Sequence, residues 1–283
     1  KGKFSEGMEG LALGRFMNVF GAPPLKTDKP IWRDEPLEGK RLLLRGEGGF
    51  GDEIINVRFA RDFKEKGAYV TVACSRSLMS LFRNLPYIDN VIASEGAQYA
   101  DFDYWVPAMS AALVLGYEYE DLDGAAYIPQ SRPKILDGKF KVGLKLKGNP
   151  EFEHEQNRRF PTELMLNLTK QDATFYSLDL EEVDGLINPE MGDWLETAQI
   201  IAGLDLVITS CTAVAHLAGA MGVPTWVVVP IMPYYLWALP KDTSPWYSCV
   251  KLHRQKTYGC WVEPFKQVGS DLENICKSHK RQS

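Results

Sequence analysis

Residues 205–224, DLVITSCTAVAHLAGAMGVP, constrain this chain more than any other stretch. Asp205–Thr209 is short, apolar and β-branched, which predicts a buried strand. Ser210-Cys211-Thr212 is a tight polar turn in which Ser210 or Thr212 could cap a following helix. The helix is expected over Ala213–Ala220, and its small side chains let another backbone or a ligand come close. Gly222-Val223-Pro224 stops it, and Thr225–Val229 is the next strand. Such a unit leaves a bare helix N-terminus at the carboxyl end of a strand. Free N–H groups and about half a positive charge from the helix dipole favour a phosphate there. A small-residue helix that simply packs on a sheet fits the same letters.

A second glycine-bearing turn lies upstream. Leu42–Arg45 predicts a strand, Gly46-Glu47-Gly48-Gly49-Phe50-Gly51 a loop, and Asp52-Glu53 the start of a helix through about Lys66. The loop matches GxGxxG, the pattern of a dinucleotide site. That site needs an acid at the end of the second strand, and here the strand ends Val72-Ala73-Cys74-Ser75. The acids sit at the helix start instead, where they would repel a pyrophosphate. The loop, with Gly49 and Gly51 as its cleft residues, therefore presents a carboxylate, and Asp52 is also placed to cap its own helix.

The rest of the chain repeats the alternation. Residues 1–22 predict an amphipathic helix, followed by a proline-rich connector over 23–36. Strands are expected at 68–74, 90–94 and 102–106, with a helix at 75–85 capped by Ser75 or Ser77. A polar stretch at 132–139 suggests a domain boundary, giving 1–37 as helix and connector, 38–137 as a first domain and 138–283 as a second. The alternation restarts with a strand at 141–146, a polar loop to 160, helices at 161–169 and 193–204, and a strand at 175–178. A strand at 250–253 and a helix at 270–280 follow. Two runs of alternating elements predict an α/β chain of two doubly wound parallel sheets. Ligands of such sheets sit beyond the strands' carboxyl ends, and with two domains in the cleft between them.

Composition narrows the classes. A length of 283 residues suits two ordinary α/β domains. A net charge of −5 argues against a nucleic-acid surface. Five cysteines without CxxC spacing read as reduced thiols of a cytoplasmic protein, and the four histidines show no metal-ligand spacing. No apolar run is long enough to span a membrane, no signal peptide opens the chain, and its start at Lys1 suggests a piece of something longer.

With both turns in view, the chain resembles bacterial tetratricopeptide-repeat proteins that end in a glycosyltransferase domain. These are relatives of the ADP-heptose–lipopolysaccharide heptosyltransferases, glycosyltransferase family 9. The segments that carry the resemblance are LLLRGEGGFGDEIINVRFA, VGLKLKGNP with NRRFP, LETAQIIAGLDLVITSCTAVAHLAGAMGVPTWVVVP, and SPWYSCVKLHRQ. Residues 3–22 also look like the last helix of a repeat.

The resemblance implies a GT-B fold: two Rossmann-like domains facing a cleft, with a short N-terminal helical extension. It implies metal-independent, inverting transfer without a cofactor, from a nucleotide-diphosphate sugar held mainly by the second domain. The acceptor would be a glycan, lipid or protein, and a lipid acceptor could bring peripheral membrane association. Asp52 matches the family's general base. Thr212, Ala213 and His216 match the segment that holds the donor's phosphates and sugar, and Arg158 matches a basic residue of the loop after the second domain's first strand. Asp52 and Thr212 lie on different domains, as two substrates require. Lys147 reads as part of a solvated charged face.

Two departures stand out. Cys211 occupies the position of the family's aspartate, and the aromatic common near Leu146 is absent. An inactive module that binds a sugar nucleotide or a protein partner is therefore the alternative to a transferase. An NAD-dependent oxidoreductase is a third reading, opposed by the missing acid.

Overall fold

Parallel strands buried on both faces read as unbroken apolar runs, and the computed structural model builds two sheets from such runs. It describes residues 3–17, 25–130, 132–134, 136–152 and 155–280. The strands are β1 Arg41–Arg45, β2 Tyr69–Cys74, β3 Asn90–Ala93, β4 Tyr104–Pro107, β5 Lys141–Lys145, β6 Thr174–Ser177, β7 Leu206–Ser210, β8 Thr225–Val229, β9 Thr243–Ser244 and β10 Tyr247–Arg254. The helices are α1 Phe4–Phe16, α2 Phe50–Asn56, α3 Ala60–Glu65, α4 Met79–Phe82, α5 Ala111–Val114, α6 Glu155–Arg158, α7 Thr162–Leu166, α8 Trp194–Ala202, α9 Ala213–Ala220 and α10 Val262–Lys280. Residues group into one unit of Lys1–Leu122 with Asp193–Leu195, and a second of Asp123–Gly192 with Glu196–Ser283.

The first unit holds a four-stranded parallel sheet in the order β3-β2-β1-β4. Leu42, Leu43 and Leu44 of β1 are fully buried, because this strand has a neighbour on each side and covered faces. Each buried leucine contributes about 1.5–3 kcal/mol. The helix expected from Asp52 to Lys66 starts earlier, at Phe50, and is broken by a 3₁₀ turn at Val57–Phe59. The helix expected at 75–85 is reduced to a 3₁₀ turn and α4. Ser75 does not cap it; its hydroxyl donates to Glu53 Oε1 instead, at 2.7 Å.

Helix α1 lies outside the alternating pattern. The sequence predicts it across 1–22; residues 1–2 and 18–22 lie outside those described. It is not amphipathic in the expected sense. Phe4 and Met8 are buried, but so is the charged Arg15, while Leu13 is exposed.

The second unit holds a six-stranded sheet in the order β6-β5-β7-β8-β10-β9, parallel except for the antiparallel edge strand β9. One face packs Val142, Leu144, Ile208, Trp226 and Val228 against Phe265, Val268 and Leu272 of α10. Helix α10 begins eight residues before the expected Ser270, because its buried face starts at Pro264 and Phe265. Residues 123–130 go with this unit through specific bonds. The N–H groups of Tyr127 and Ile128 both donate to the Ala220 carbonyl, and Ser248 N–H donates to the Gly124 carbonyl.

Candidate functional site

Each of the two turns singled out by the sequence follows the carboxyl end of a parallel strand, one in each unit. In the first unit the chain leaves β1, passes through Gly46–Gly49 and enters α2. The turn needs glycine for two reasons. Gly46 donates its N–H to the Ala73 carbonyl at 2.7 Å, and a Cβ there would lie 2.8 Å from that oxygen. Gly48 has φ +74°, the left-handed region, and a Cβ there would strike the Asp52 carboxylate.

Both acids of the turn are engaged. Asp52, half-buried at the third position of α2, accepts the Gly49 N–H through Oδ2 at 2.9 Å. This is the carboxylate half of a capping box. Glu53 is buried and accepts both the N–H and the hydroxyl of Ser75, at 2.9 and 2.7 Å. Burial still raises its pKa above the usual carboxylate value. Gly49, Gly51 and Asp52 thus lie at one turn, but it is Gly46 and Gly48 that make room for the Glu53 and Asp52 carboxylates.

In the second unit β7 is buried along its whole length and delivers the Ser210-Cys211-Thr212 turn. Helix α9 occupies the expected residues and stops with two bonds of the Schellman type, Val223 N–H to the Ala218 carbonyl and Gly222 N–H to the Gly219 carbonyl. The expected side-chain cap is not made. Thr212 stands at the N-cap, but its hydroxyl turns inward to the Thr209 hydroxyl at 2.9 Å. Among the described residues the Ala213 and Val214 N–H groups meet no acceptor.

Arg158 reaches this turn from the loop after β5. Its Nη1 donates to the Cys211 carbonyl, its Nε pairs with Glu155 at 2.5 Å, and its guanidinium lies over the Phe152 ring at 4.6 Å. The four-residue helix α6 that carries it was not anticipated in a polar loop. Arg158, Cys211, Thr212 and Ala213 therefore share one end of the second sheet. Lys147 lies exposed and paired with Glu181 at 2.9 Å.

His216 follows one turn into α9. It is buried, shares a 3.0 Å hydrogen bond with the Tyr247 hydroxyl through Nδ1, and stacks on Trp237 at 5.2 Å. The close approach permitted by the small residues of α9 is likewise used by Tyr247. A Cβ on Gly219 would lie 2.7 Å from that ring. Cys211 is buried, and burial pushes its thiol up to about 12 despite nearby Arg158 and Arg254.

Three supports of this site were given no individual role by the sequence, although Tyr247 and Arg254 fall in the SPWYSCVKLHRQ segment quoted above. Asp179 accepts Lys145 Nζ at 2.8 Å, Leu146 N–H at 2.8 Å and Lys147 N–H at 3.2 Å, and so fixes the loop after β5. Arg254 donates to the carbonyls of Trp237, Leu239 and Lys241. Tyr247 begins β10, 31 residues from the histidine it holds. An acid just past β6 carries no motif, and the late segment that holds Tyr247 and Arg254 does not tell which carbonyls and ring they meet.

The two sheets place the chain among α/β proteins with two Rossmann-like parallel-sheet units, and solved structures of this architecture match it over most of its length. The glycosyltransferase TibC from enterotoxigenic E. coli H10407 aligns with TM-score 0.62 and 12% identity, over 88% of this chain and 78% of its own. E. coli ADP-heptose lipopolysaccharide heptosyltransferase II aligns with TM-score 0.60 and 14% identity, over 85% and 99%. A glycosyltransferase family 9 protein from Veillonella parvula DSM 2008 gives 0.54 and 11%, over 88% and 99%. At such identities the likeness is one of fold. Protein FlbA of Caulobacter vibrioides is 26% identical over 323 aligned positions, covering 98% of this chain and 54% of FlbA. The chain thus spans about half the length of that relative. No family model matches it. Among the described residues no helix is long and apolar enough to cross a membrane, and no three His, Cys, Asp or Glu are grouped to hold a metal ion.

Proposed function

We propose that the chain is a glycosyltransferase that moves a sugar from a nucleotide-diphosphate donor to an acceptor hydroxyl, with inversion and without a metal. The observation that carries this reading is the first turn of α9, with its unmet N–H groups and Arg158 anchored beside it. The fold neighbours support it: each is a glycosyltransferase, and one is described in complex with ADP-D-β-D-heptose.

The chemistry follows from the residues. Inverting transfer needs a base for the acceptor hydroxyl and a fixed positive environment for the departing diphosphate. The N–H groups of Ala213 and Val214, the helix dipole and Arg158 supply that environment without reorganising. Thr212 shapes the turn through Thr209. His216, under Tyr247 and Trp237, supports the wall and does not exchange protons with substrate. Asp52 removes the acceptor proton, its carboxylate held at the start of α2 by the Gly49 N–H. The acceptor is a glycan, lipid or protein, and a lipid would bring the enzyme to a membrane surface. A cytoplasmic setting and a preceding repeat array belong to the same reading.

Cys211 favours a second reading, a module that binds sugar nucleotide without turnover. A buried neutral thiol offers a sugar weaker hydrogen bonds than a carboxylate. Thermal shift with ADP, UDP, GDP and their sugars identifies the donor, and transfer or donor hydrolysis separates the readings. Asp52→Asn should keep donor affinity and lower turnover roughly 10²–10⁴-fold. Thr212→Glu should abolish nucleotide binding in a folded protein. Unchanged affinity in the Glu variant refutes the phosphate site. Full turnover in the Asn variant leaves Asp52 as a helix cap only.

A further inference from the structure

Helix α1 contributes no strand and no turn to the sheet of its unit, yet it buries a charge there. Arg15 is 2% exposed and its partner Glu47 is fully buried. The guanidinium grips the carboxylate with two bonds, Nε to Oε1 at 2.5 Å and Nη2 to Oε2 at 2.7 Å, and Nη1 donates to Ser110 Oγ at 2.8 Å. Apolar residues of similar volume would pack such a place without the cost of desolvating two charges, several kcal/mol for each ion by rough measure. What the ion pair adds is direction.

That direction is imposed on a segment with little of its own. Glu47 opens the turn that ends in Asp52, and three of the four residues between them are Gly48, Gly49 and Gly51. Glycine loses the most freedom on ordering, so such a turn does not hold a pose unaided. Its downstream end is tied by Glu53 to Ser75. Its upstream end is tied by Glu47 to α1 and to the segment after β4.

We propose that the Arg15–Glu47–Ser110 cluster is a positioning device, which sets the pose of the glycine turn and of Asp52 and makes α1 a working part of the site. The Arg15 guanidinium is the polar link from α1 to this turn, beside the apolar packing of Phe4 and Met8. The consequence for turnover rests on the reading of Asp52 as base; the consequence for the turn does not.

Hydrogen exchange of the whole chain tests it in peptides covering residues 46–52. Arg15→Lys keeps the charge and loses the fork, Ser110→Ala removes one bond, and Leu13→Ala on the exposed side of α1 is the control. Exchange in the turn should quicken on the order of tenfold in Arg15→Lys, less in Ser110→Ala and not in Leu13→Ala, with circular dichroism unchanged. Turnover of the donor found by thermal shift should fall in Arg15→Lys with its KM unchanged. If Arg15→Lys fails to fold, Ser110→Ala is read alone by the same criterion. Wild-type exchange in the turn overturns the proposal. So does quickened exchange with full turnover while Asp52→Asn is inactive. If exchange quickens but Asp52→Asn is fully active, the clamp stands and the assignment of the base falls.

Discussion

Acid should weaken this protein through one histidine. His253 lies on β10, 3% exposed, packed at 5.3 Å from the Trp226 ring. Among the described residues its Nε2 has no hydrogen-bond partner, and it sits 3.7 Å from an Asp271 oxygen that Lys251 already holds at 2.7 Å. Burial therefore outweighs the attraction of Asp271 and lowers the pKa from 6.5 to about 4. The folded state keeps the ring neutral in a range where the unfolded chain binds a proton. Stability from this residue is complete above pH 6.5 and is lost as pH falls toward 4. The gap of roughly 2.5 units, at about 1.36 kcal/mol each, sets the total near 3 kcal/mol. Buried Glu47 and Glu53, raised by the same cause, act with the opposite sign, so the wild-type curve alone is not diagnostic. His253→Phe keeps the ring volume and removes the proton site. Urea unfolding of both proteins at pH 7.5, 6, 5 and 4.5 gives the difference. The variant should gain on the wild type by up to about 1.4 kcal/mol per pH unit below 6.5. Parallel curves across that range refute the reasoning.

Two further outcomes test the second unit. Gly219→Ala should gain about 1 kcal/mol in helix propensity. It should lose more by driving a methyl into the fully buried Tyr247 ring, overpacking of ~1–3 kcal/mol; a variant as stable as wild type in urea would show that the ring yields. Iodoacetamide at pH 8 should modify exposed Cys260 well before Cys74 and Cys211, whose thiols burial pushes up to about 12. Mass spectrometry of native protein checks this, and equal labelling of Cys211 and Cys260 would contradict it.

Sequence reading succeeded where a local pattern decides the backbone. Helix α9 and strand β8 fall on the expected residues, since an alanine-rich run, a Gly-Val-Pro stop and TWVVV admit few alternatives. It faltered where packing decides. Helix α10 runs through Gly269 because Phe265, Val268 and Leu272 share its buried face. Helix α2 stops early because the chain tightens into a 3₁₀ turn. At the two turns, the course of the backbone was legible and the side-chain partners were not. Asp52, Thr212 and Arg158 could be picked out, but Arg158's grip on the Cys211 carbonyl joins residues 53 apart. A buried Arg15 at the end of a surface helix gives no signal that periodicity can register.

The strap of residues 123–130 matters for how such proteins could be recombined. Two of its N–H groups serve the carbonyl that closes α9, and its Tyr127 lies stacked at 6.5 Å from Tyr247, the ring that holds His216. Its backbone precedes the polar stretch at 132–139, where a sequence-based cut would fall. An exchange of second units between relatives at that stretch would pair one parent's strap with the other parent's helix and tyrosine. The inheritable unit of the candidate donor site therefore begins at Asp123, and crossovers that respect it keep helix, strap and aromatic wall from one parent.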